Sequence, residues 1–437
     1  MSEALKLGVA GLGTVGAGVV SLLRQNASLI AARAGRPIEV VAVSARDRTR
    51  DRGISLDGLR WHEDPVALAA DNDLDAIVEV MGGSEGPARA LVTAALESGK
   101  PVVTANKALL ATHGVELASL SARTGAALAF EAAVAGGIPA IKALREGLAG
   151  NQLRRVAGIL NGTCNYILTE MRLKGLPFDQ VLKTAQDLGY AEADPSFDID
   201  GVDAAHKLAI LAALAFGRPV DLSSLHIEGI RHVSALDIAL AGELGFRIKL
   251  LGIASREGAR GDGREAGGVT ARVHPCMVPT SSPIASVDGV FNAVLAEGDA
   301  VGQLMLQGRG AGAGPTASAV VADLVDLARG RRTPVWGTDA PTDDSPALPM
   351  ARHRGAAYLR LMVLDQPGVI ADVTGILRDH GISLESMLQR GRAPGEAVPV
   401  VMTTHECDEA RMQQALAAIA TLPSVLEKPA MIRIEAL

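Results

Sequence analysis

The 437-residue sequence lacks several features that would place it quickly. It has no basic excess: the formal net charge is −7, with both signs spread along the chain. That removes the electrostatic footprint of a nucleic-acid or anionic-membrane surface, and neither partner is expected. Cysteine is scarce. Cys164, Cys276 and Cys407 lie far apart, are odd in number and form no CxxC pair. Neither a disulfide framework nor a cysteine-bound zinc is expected, and a reducing cytoplasm suits the chain. Long apolar runs are missing too. The most apolar helix-like stretch, 208–216, is bounded by Lys207 and Arg218. It falls far short of the roughly 20 residues that span a bilayer. The first residues, with Glu3 and Lys6, run straight into an apolar strand pattern, so no export signal is expected. The nine histidines show no HxxxH spacing. His206, His226 and His274 read as structural or surface residues, and Trp61 and Trp336 as packing.

What is present is globular: 48% of residues are hydrophobic and 21% charged. The length predicts two or three domains. In residues 1–131, apolar strand patterns at 5–10, 38–43, 75–80, 102–104 and 127–131 alternate with helical stretches such as 17–26 and 87–98. This predicts a Rossmann-type doubly wound parallel sheet covered on both faces. Residues 132–307 change character, with helices at 178–188 and 202–216 and strands including 155–160 and 246–253, as in an α+β substrate and dimerisation domain. The polar stretch 256–268 reads as a surface loop. A helix at 316–329 then follows the glycine-rich 308–314, so 308–330 is expected to complete the first domain. Prolines 334, 341, 346 and 349 punctuate a polar segment, predicting a linker over 331–355. Residues 356–437 carry strand, helix, strand, strand, helix and strand patterns at 358–363, 369–380, 383–389, 398–404, 408–420 and 430–434. This βαββαβ order is ferredoxin-like.

The most legible site is the loop Gly11-Leu12-Gly13-Thr14-Val15-Gly16. An apolar strand feeds it and a helix leaves it, which lifts a weak GxGxxG pattern to a dinucleotide fingerprint. Gly11 allows the tight turn, Gly13 lets the backbone approach a pyrophosphate, and Gly16 permits close helix–strand packing. The helix N-terminus offers free N–H groups to the phosphates. An acidic residue ending the second strand would take the ribose 2′-hydroxyl of NAD. Here the run is Val43-Ser44-Ala45-Arg46-Asp47-Arg48. Arg46 and Arg48 favour the 2′-phosphate of NADP, Asp47 leaves NAD open, and both arginines also fit a plain solvated surface.

Two lysines mark the chemistry. Thr104-Ala105-Asn106-Lys107 falls at a strand-to-helix junction, where open α/β sheets bind ligands. The run from Gly189 to Lys207 gathers Glu192, Asp194, Asp198, Asp200 and Asp203 before a helix. Asp203 and Lys207 are spaced i, i+4 and share one face. An ordinary helical ion pair beside a solvated acidic loop has the same pattern. The functional reading is a pocket for an ammonium-bearing substrate, with a lysine that handles a proton. The apolar 208–216 predicts a buried helix, which would lower the Lys207 pKa.

Together the glycine loop, Thr-Ala-Asn-Lys, Asn161-Gly162-Thr163-Cys164-Asn165-Tyr166-Ile167-Leu168 and the Glu192–Lys207 run resemble homoserine dehydrogenase over roughly residues 5 to 330. Asp365-Gln366-Pro367-Gly368-Val369, leading into a helix, resembles an ACT domain. The resemblance implies reversible reduction of L-aspartate 4-semialdehyde to L-homoserine, on the route to threonine and methionine. It implies Lys207 as proton donor, with Lys107 beside it near substrate and cofactor. Glu192, Asp198 and Asp203 would hold the substrate ammonium and orient Lys207. It further implies a monovalent cation, sodium, at Glu131 and the backbone oxygens of Val134, Gly136 and Ile138. A tight turn leaving the sheet explains those residues equally well. The segment starting at Gly308 and ending at Thr316 resembles the family's return to the nicotinamide, which adds Gly308 to the cofactor set. ACT domains pair across subunits and bind amino acids, so a homodimer or homotetramer and a threonine effector near 365–370 are implied.

Two rival functions stay on the table. Cys164, ahead of a helical run, could be activated by the helix N-terminus as the nucleophile of an acylating aldehyde dehydrogenase. The chain could instead be a non-catalytic amino-acid sensor, a reading the intact Lys107 and Lys207 oppose.

Overall fold

The computed structural model describes residues 3–258, 267–389 and 395–437. Its N-terminal part is a six-stranded sheet of β1 (Leu5–Ala10), β2 (Ile38–Ser44), β3 (Arg60–His62), β4 (Ala76–Glu79), β5 (Val102–Thr104) and β6 (Leu128–Ala129). The order is β3-β2-β1-β4-β5-β6, and every pairing is parallel. Leu7, Val9, Ile77, Val78, Val102 and Val103 are wholly buried, as strands covered on both faces require. The order reverses between β1 and β4, so the ligand crevice lies above their carboxyl ends. The expected strand at 127–131 shortens to β6, because the chain tightens into a 3-10 turn at Glu131–Ala133. The first helix, Thr14–Gln25, starts earlier than the apolar pattern suggests, directly on the glycine loop.

The second sheet has eleven strands. β7 (Leu153–Ile159), β8 (His226–Ile227), β9 (Phe246–Glu257), β10 (Gly268–Pro279), β11 (Phe291–Gly298) and β12 (Gly302–Arg309) come from the middle of the chain. β13 (Arg354–Leu364), β14 (Leu384–Gln389), β15 (Ala397–Thr404), β16 (Cys407–Asp408) and β17 (Ala430–Ile434) come from its end. Its main path is β12-β11-β7-β9-β10-β17-β13-β15-β14, with β8 on β10 and β16 on β13. Of the loop expected at 256–268, residues 259–266 lie outside the described residues. Helix Val202–Phe216 packs on this sheet, where Gly252 leaves room for Leu208. Helix Ala313–Ala328 returns to the parallel sheet and lies so close to Thr14–Gln25 that a Cβ on Gly18 would sit 2.8 Å from the Ala313 carbonyl.

The C-terminal strands and the helices Val369–Asp379 and Glu409–Ile419 form the expected βαββαβ unit, with its own core around Leu361, Val373 and Val400. This unit is not a separate bead. β17 pairs in parallel with β10 at Cys276↔Arg433 and Met277↔Ile434, so one sheet runs through both regions. The proline-punctuated 331–355 is correspondingly no loose spacer. Val335 and Leu348 are buried, and the Trp336 ring lies 5.3 Å from Phe130. The Leu348 amide donates to the Val269 carbonyl at 2.8 Å. Its few apolar residues strap it to the surface it crosses. Among the described residues no single helix is long and apolar enough to cross a membrane.

Candidate active site

Between the carboxyl edge of the parallel sheet and the mixed sheet lies a cavity of about 570 Å³. The first domain contributes Val15, Ala105 and Lys107; the second contributes Asn161, Asp198, Asp203 and Lys207. A second cavity, of about 350 Å³, opens on the other side of the glycine loop and is lined by Leu12, Gly13 and Arg46.

The glycine loop has the geometry its spacing implies. Gly11 has φ +96°, and a Cβ there would lie 2.8 Å from the Val80 carbonyl oxygen. A Cβ on Gly16 would approach the Gly11 carbonyl to 1.9 Å, so the first helical turn can rest on the loop only as glycine. Gly13 faces open space. Thr14 and Val15 begin the helix, placing its unpaired N–H groups at the crevice. Arg46 is exposed on the smaller cavity, joined by Arg50 and Arg52. These two went unnoticed in the sequence, although arginine alternates from 46 to 52. Arg52 Nε donates to the Leu12 carbonyl at 3.0 Å, bracing the loop. The Asp47 carboxylate is committed to its own turn: it accepts from the Thr49 hydroxyl at 2.7 Å and the Thr49 amide at 2.8 Å. Those bonds hold its carboxyl below the usual range.

At the floor of the larger cavity, Asp203 is the hub. Lys207 Nζ donates to Asp203 Oδ2 at 2.8 Å and to the Leu160 carbonyl at 2.7 Å. Lys107 Nζ lies 3.1 Å from Asp203 Oδ1. Asn161 Nδ2 donates to Asp203 Oδ2 and to Asp198 Oδ1, each at 2.8 Å. Burial alone would raise the Asp203 carboxyl, but the two lysine charges outweigh it and hold it well below the carboxylate range. Asp198 goes the other way: burial raises it, and the bond from Asn161 only partly offsets that. Lys207 is 9% exposed, as the apolar helix behind it implies. Lys107 keeps a third of its side chain accessible, above the Phe197 ring. It is held there because Asn106 caps helix Lys107–Thr124, accepting from the Leu109 amide at 3.1 Å.

Other expected residues fall differently. Glu192 is exposed and does not line the cavity. Gly308 belongs to β12 and faces Ile138; the cavity is lined instead by Arg309 to Gly312. The segment crosses close to the rest of the site, since a Cβ on Gly136 would meet the Gly310 carbonyl at 2.4 Å. Glu131 directs both carboxylate oxygens at backbone amides, those of Ile141 (2.8 Å) and Lys142 (2.9 Å). Burial and the neighbouring Asp323 charge push its carboxyl up to about 7. In the turn from Val134 to Ile138, Ala135 (φ 55°) and Gly136 (φ 54°) are successive left-handed residues. Among the described residues Ala135 is the one non-glycine in that region. Cys164 is fully buried behind Asp198, donating to its carbonyl at 3.2 Å. Burial and the Asp198 charge push its thiol well above the usual range, opposite to what a nucleophile needs. It also does not line the cavity.

A dinucleotide crevice joined to a buried two-lysine, two-carboxylate pocket defines an oxidoreductase of the nicotinamide-binding class. Comparison with known proteins sharpens this. The homoserine dehydrogenase NAD-binding domain matches residues 11–131, the homoserine dehydrogenase domain 139–325 and the ACT domain 357–424. A homoserine dehydrogenase of Pseudomonas aeruginosa is 46% identical over 442 residues, covering 99% of each chain. The crystal structure of one from Thiobacillus denitrificans superposes with a TM-score of 0.92 at 47% identity, covering 99% of each chain. A hyperthermophilic archaeal homoserine dehydrogenase in complex with NADPH has a TM-score of 0.64 at 26% identity, covering 76% of this chain and all of that one. The chain belongs to the homoserine dehydrogenase family, with a C-terminal ACT domain.

Proposed function

We propose that this chain catalyses the reversible NAD(P)H-dependent reduction of L-aspartate 4-semialdehyde to L-homoserine, on the route to threonine and methionine. The observation that carries the reading is Asp203, contacted by both Lys107 and Lys207 inside a cavity bordered by the glycine loop. An ammonium has three donors. Two from Lys207 are spent on Asp203 and Leu160, leaving the third for a substrate oxygen. Lys207 thus protonates the developing alkoxide, and Lys107 stabilises the same oxygen. Asp198 and Asp203 take the substrate ammonium; Glu192 joins only by turning inward from its exposed place. When bound, the nicotinamide supplies or accepts the hydride at the carbonyl carbon.

NADP is the proposed cofactor, with NAD as the alternative. Arg46 and its neighbours offer positive charge to a 2′-phosphate, while Asp47 is turned onto Thr49. The relative solved with NADPH supports this choice. Gly11 to Gly16 would cradle the pyrophosphate, with Lys107 on the nicotinamide side; Gly308 faces Ile138, and the residues after it, Arg309 to Gly312, take its expected place there. A sodium ion is proposed at the turn 131–138. The successive left-handed residues there suit carbonyl ligands from Val134, Gly136 and Ile138. The Glu131 carboxylate is already committed to two amides, so it fits less well as a direct ligand.

Threonine is proposed as an effector of the ACT domain near 365–370. Association into a homodimer or homotetramer is supported by β12 and β14, which are the edge strands of the mixed sheet among the described residues. Three free, buried cysteines suit a cytoplasmic setting. The deciding experiment is homoserine-dependent reduction of NADP and of NAD, with Lys207→Ala as control. Absence of turnover with both cofactors, or an unimpaired Lys207→Ala, would end this reading.

A further inference from the structure

Asn161 was part of a motif but had no role assigned by its sequence. In the structure it stands between the two buried carboxylates. We infer that Asn161 is the positioning residue of this site: one carboxamide holds Asp198 and Asp203 side by side and fixes how both face the substrate. The inference rests on the reaction proposed above only for its kinetic readout.

The carboxamide is locked in one sense. Its Nδ2 gives one hydrogen to Asp198 Oδ1 and one to Asp203 Oδ2, both at 2.8 Å. Its Oδ1 accepts from the Cys164 amide at 2.8 Å and so caps helix Gly162–Lys174. Turning the amide over would set oxygen against two carboxylates and NH₂ against a backbone N–H, so all three contacts would fail together. The backbone is pinned as well. A Cβ on the next residue, Gly162, would meet the Val290 carbonyl at 2.8 Å, and the Leu160 carbonyl just before takes the Lys207 ammonium. Two successive residues therefore hold the proposed proton donor, its partner carboxylate and the neighbouring acid.

The electrostatic need is plain. Asp198 faces Asp203, with Lys107, Lys207 and the Cys164 thiol as the other titratable groups around it. Two like charges this close and this buried resist ionising together. Lys207 and Lys107 both lean on Asp203, whereas Asp198 has the hydrogen bond from Asn161. Without that donor, Asp198 holds its proton to higher pH and stops serving as a receptor for an ammonium.

The test separates the cap from the bridge. Asn161→Ser keeps a good capping oxygen but removes the NH₂ group that spans both carboxylates, and its single hydroxyl hydrogen can reach at most one of them. Asn161→Asp keeps the cap and puts a third carboxylate against the other two. In the full-length protein, Asn161→Ser should raise the KM for homoserine about ten- to hundredfold, the size of a lost hydrogen bond to a charged group, with a smaller change in kcat. The acid limb of its kcat/KM profile should move up by about one pH unit. Asn161→Asp should lose more, while both variants bind NADPH like the parent. An unmoved acid limb in Asn161→Ser would overturn the inference. Thermal unfolding of Asn161→Ser, Asp198→Asn and the double variant gives an answer that needs no turnover. Coupling between the two changes supports the bridge, and strict additivity overturns it. If the parent protein turns over no homoserine, the proposed reaction fails and the unfolding cycle still decides the role of Asn161.

Discussion

Of the regions of this molecule that bury charge, two do it to opposite ends. At the junction of the middle and C-terminal units, Arg433 lies 4% exposed between Glu228 and Glu409, with contacts of 2.6 to 3.1 Å. Arg272 meets Glu435 at 2.7 Å. Nearby, Asp237 takes both the Tyr358 hydroxyl at 3.0 Å and Arg360 at 2.7 Å. The cations here are arginines, whose planar forks are satisfied by carboxylates and never lose their proton. The active site uses lysines, point charges that can give a proton away, and both of them line a cavity. Buried arginine pairs fasten; buried lysine pairs with a spare donor react.

That contrast can be broken at either end. The largest effect is expected for Lys207→Ala, with kcat for homoserine oxidation falling about 10²–10⁴-fold, the usual worth of a positioned general acid. Steady-state kinetics at saturating cofactor check it, and a loss below tenfold would remove the lysine from the chemistry. At the junction, Arg433→Met strands Glu228 and Glu409. Stability should fall by about 3–5 kcal/mol, as for a buried pair robbed of one partner. Urea unfolding measures this, while kcat at 25 °C should stay within about twofold; a stability loss near zero would make the junction no stronger than a surface ion pair.

Acid should distinguish the two regions next. Burial, with the charge of Arg272, pushes His353 from 6.5 down to about 3. The folded state keeps this ring neutral where the unfolded chain would protonate it. Its contribution is therefore whole above pH 6.5 and drains as pH falls toward 3, costing about 2 kcal/mol by pH 5. His274 is held down by burial in the same region. Asp203 is depressed, so its contribution is lost only when pH falls below the ordinary carboxylate range. Glu131, raised to about 7, gains stability over the same window, so the test is the difference. Between pH 7 and pH 5 the parent should lose more melting temperature, or gain less, than His353→Gln, and parallel slopes would count against this account. The smallest effect is expected for Cys164→Ser. Its activity should stay within about threefold of the parent, since losing one buried thiol packs less well without touching a reacting group. Abolished activity would reopen the cysteine chemistry.

How much of this was legible depends on how local each constraint is. Strand β1, the glycine loop and its helix could be read because the turn imposes glycine at fixed spacing. Asp203 and Lys207 could be read because helical spacing puts them together. The contact between Lys107 and Asp203 joins two domains, and no spacing announces it. Asn161 shows only a capping residue before a helix; its second use depends on two carboxylates arriving from elsewhere. Glu131 ended a strand by pattern, yet the chain turns there so that its carboxylate can meet the amides of Ile141 and Lys142. The composition of 331–355 pointed to a linker, but a few buried side chains were enough to dock it. The pairing of β17 with β10 spans two residue pairs, too few to leave a periodic trace.

That short pairing has a consequence for how the protein is made. β10 stands between β9 on one side and, on the other, β8 at Arg272 and Val273 followed by β17 at Cys276 and Met277, and the chain carries on past β17 along the same surface. The Glu435 amide donates to the Met277 carbonyl at 3.0 Å, and Ser282 donates to the carbonyl of Leu437 at 2.7 Å. During synthesis, every strand around the active site emerges before the strand that covers this flank. Until then the part of β10 around Cys276 and Met277, beyond the cover of β8, presents a raw edge, the kind that recruits strands from other molecules. The ACT region thus finishes a wall of the enzyme as well as carrying its own fold, and a gene cut short at residue 355 would leave that wall open.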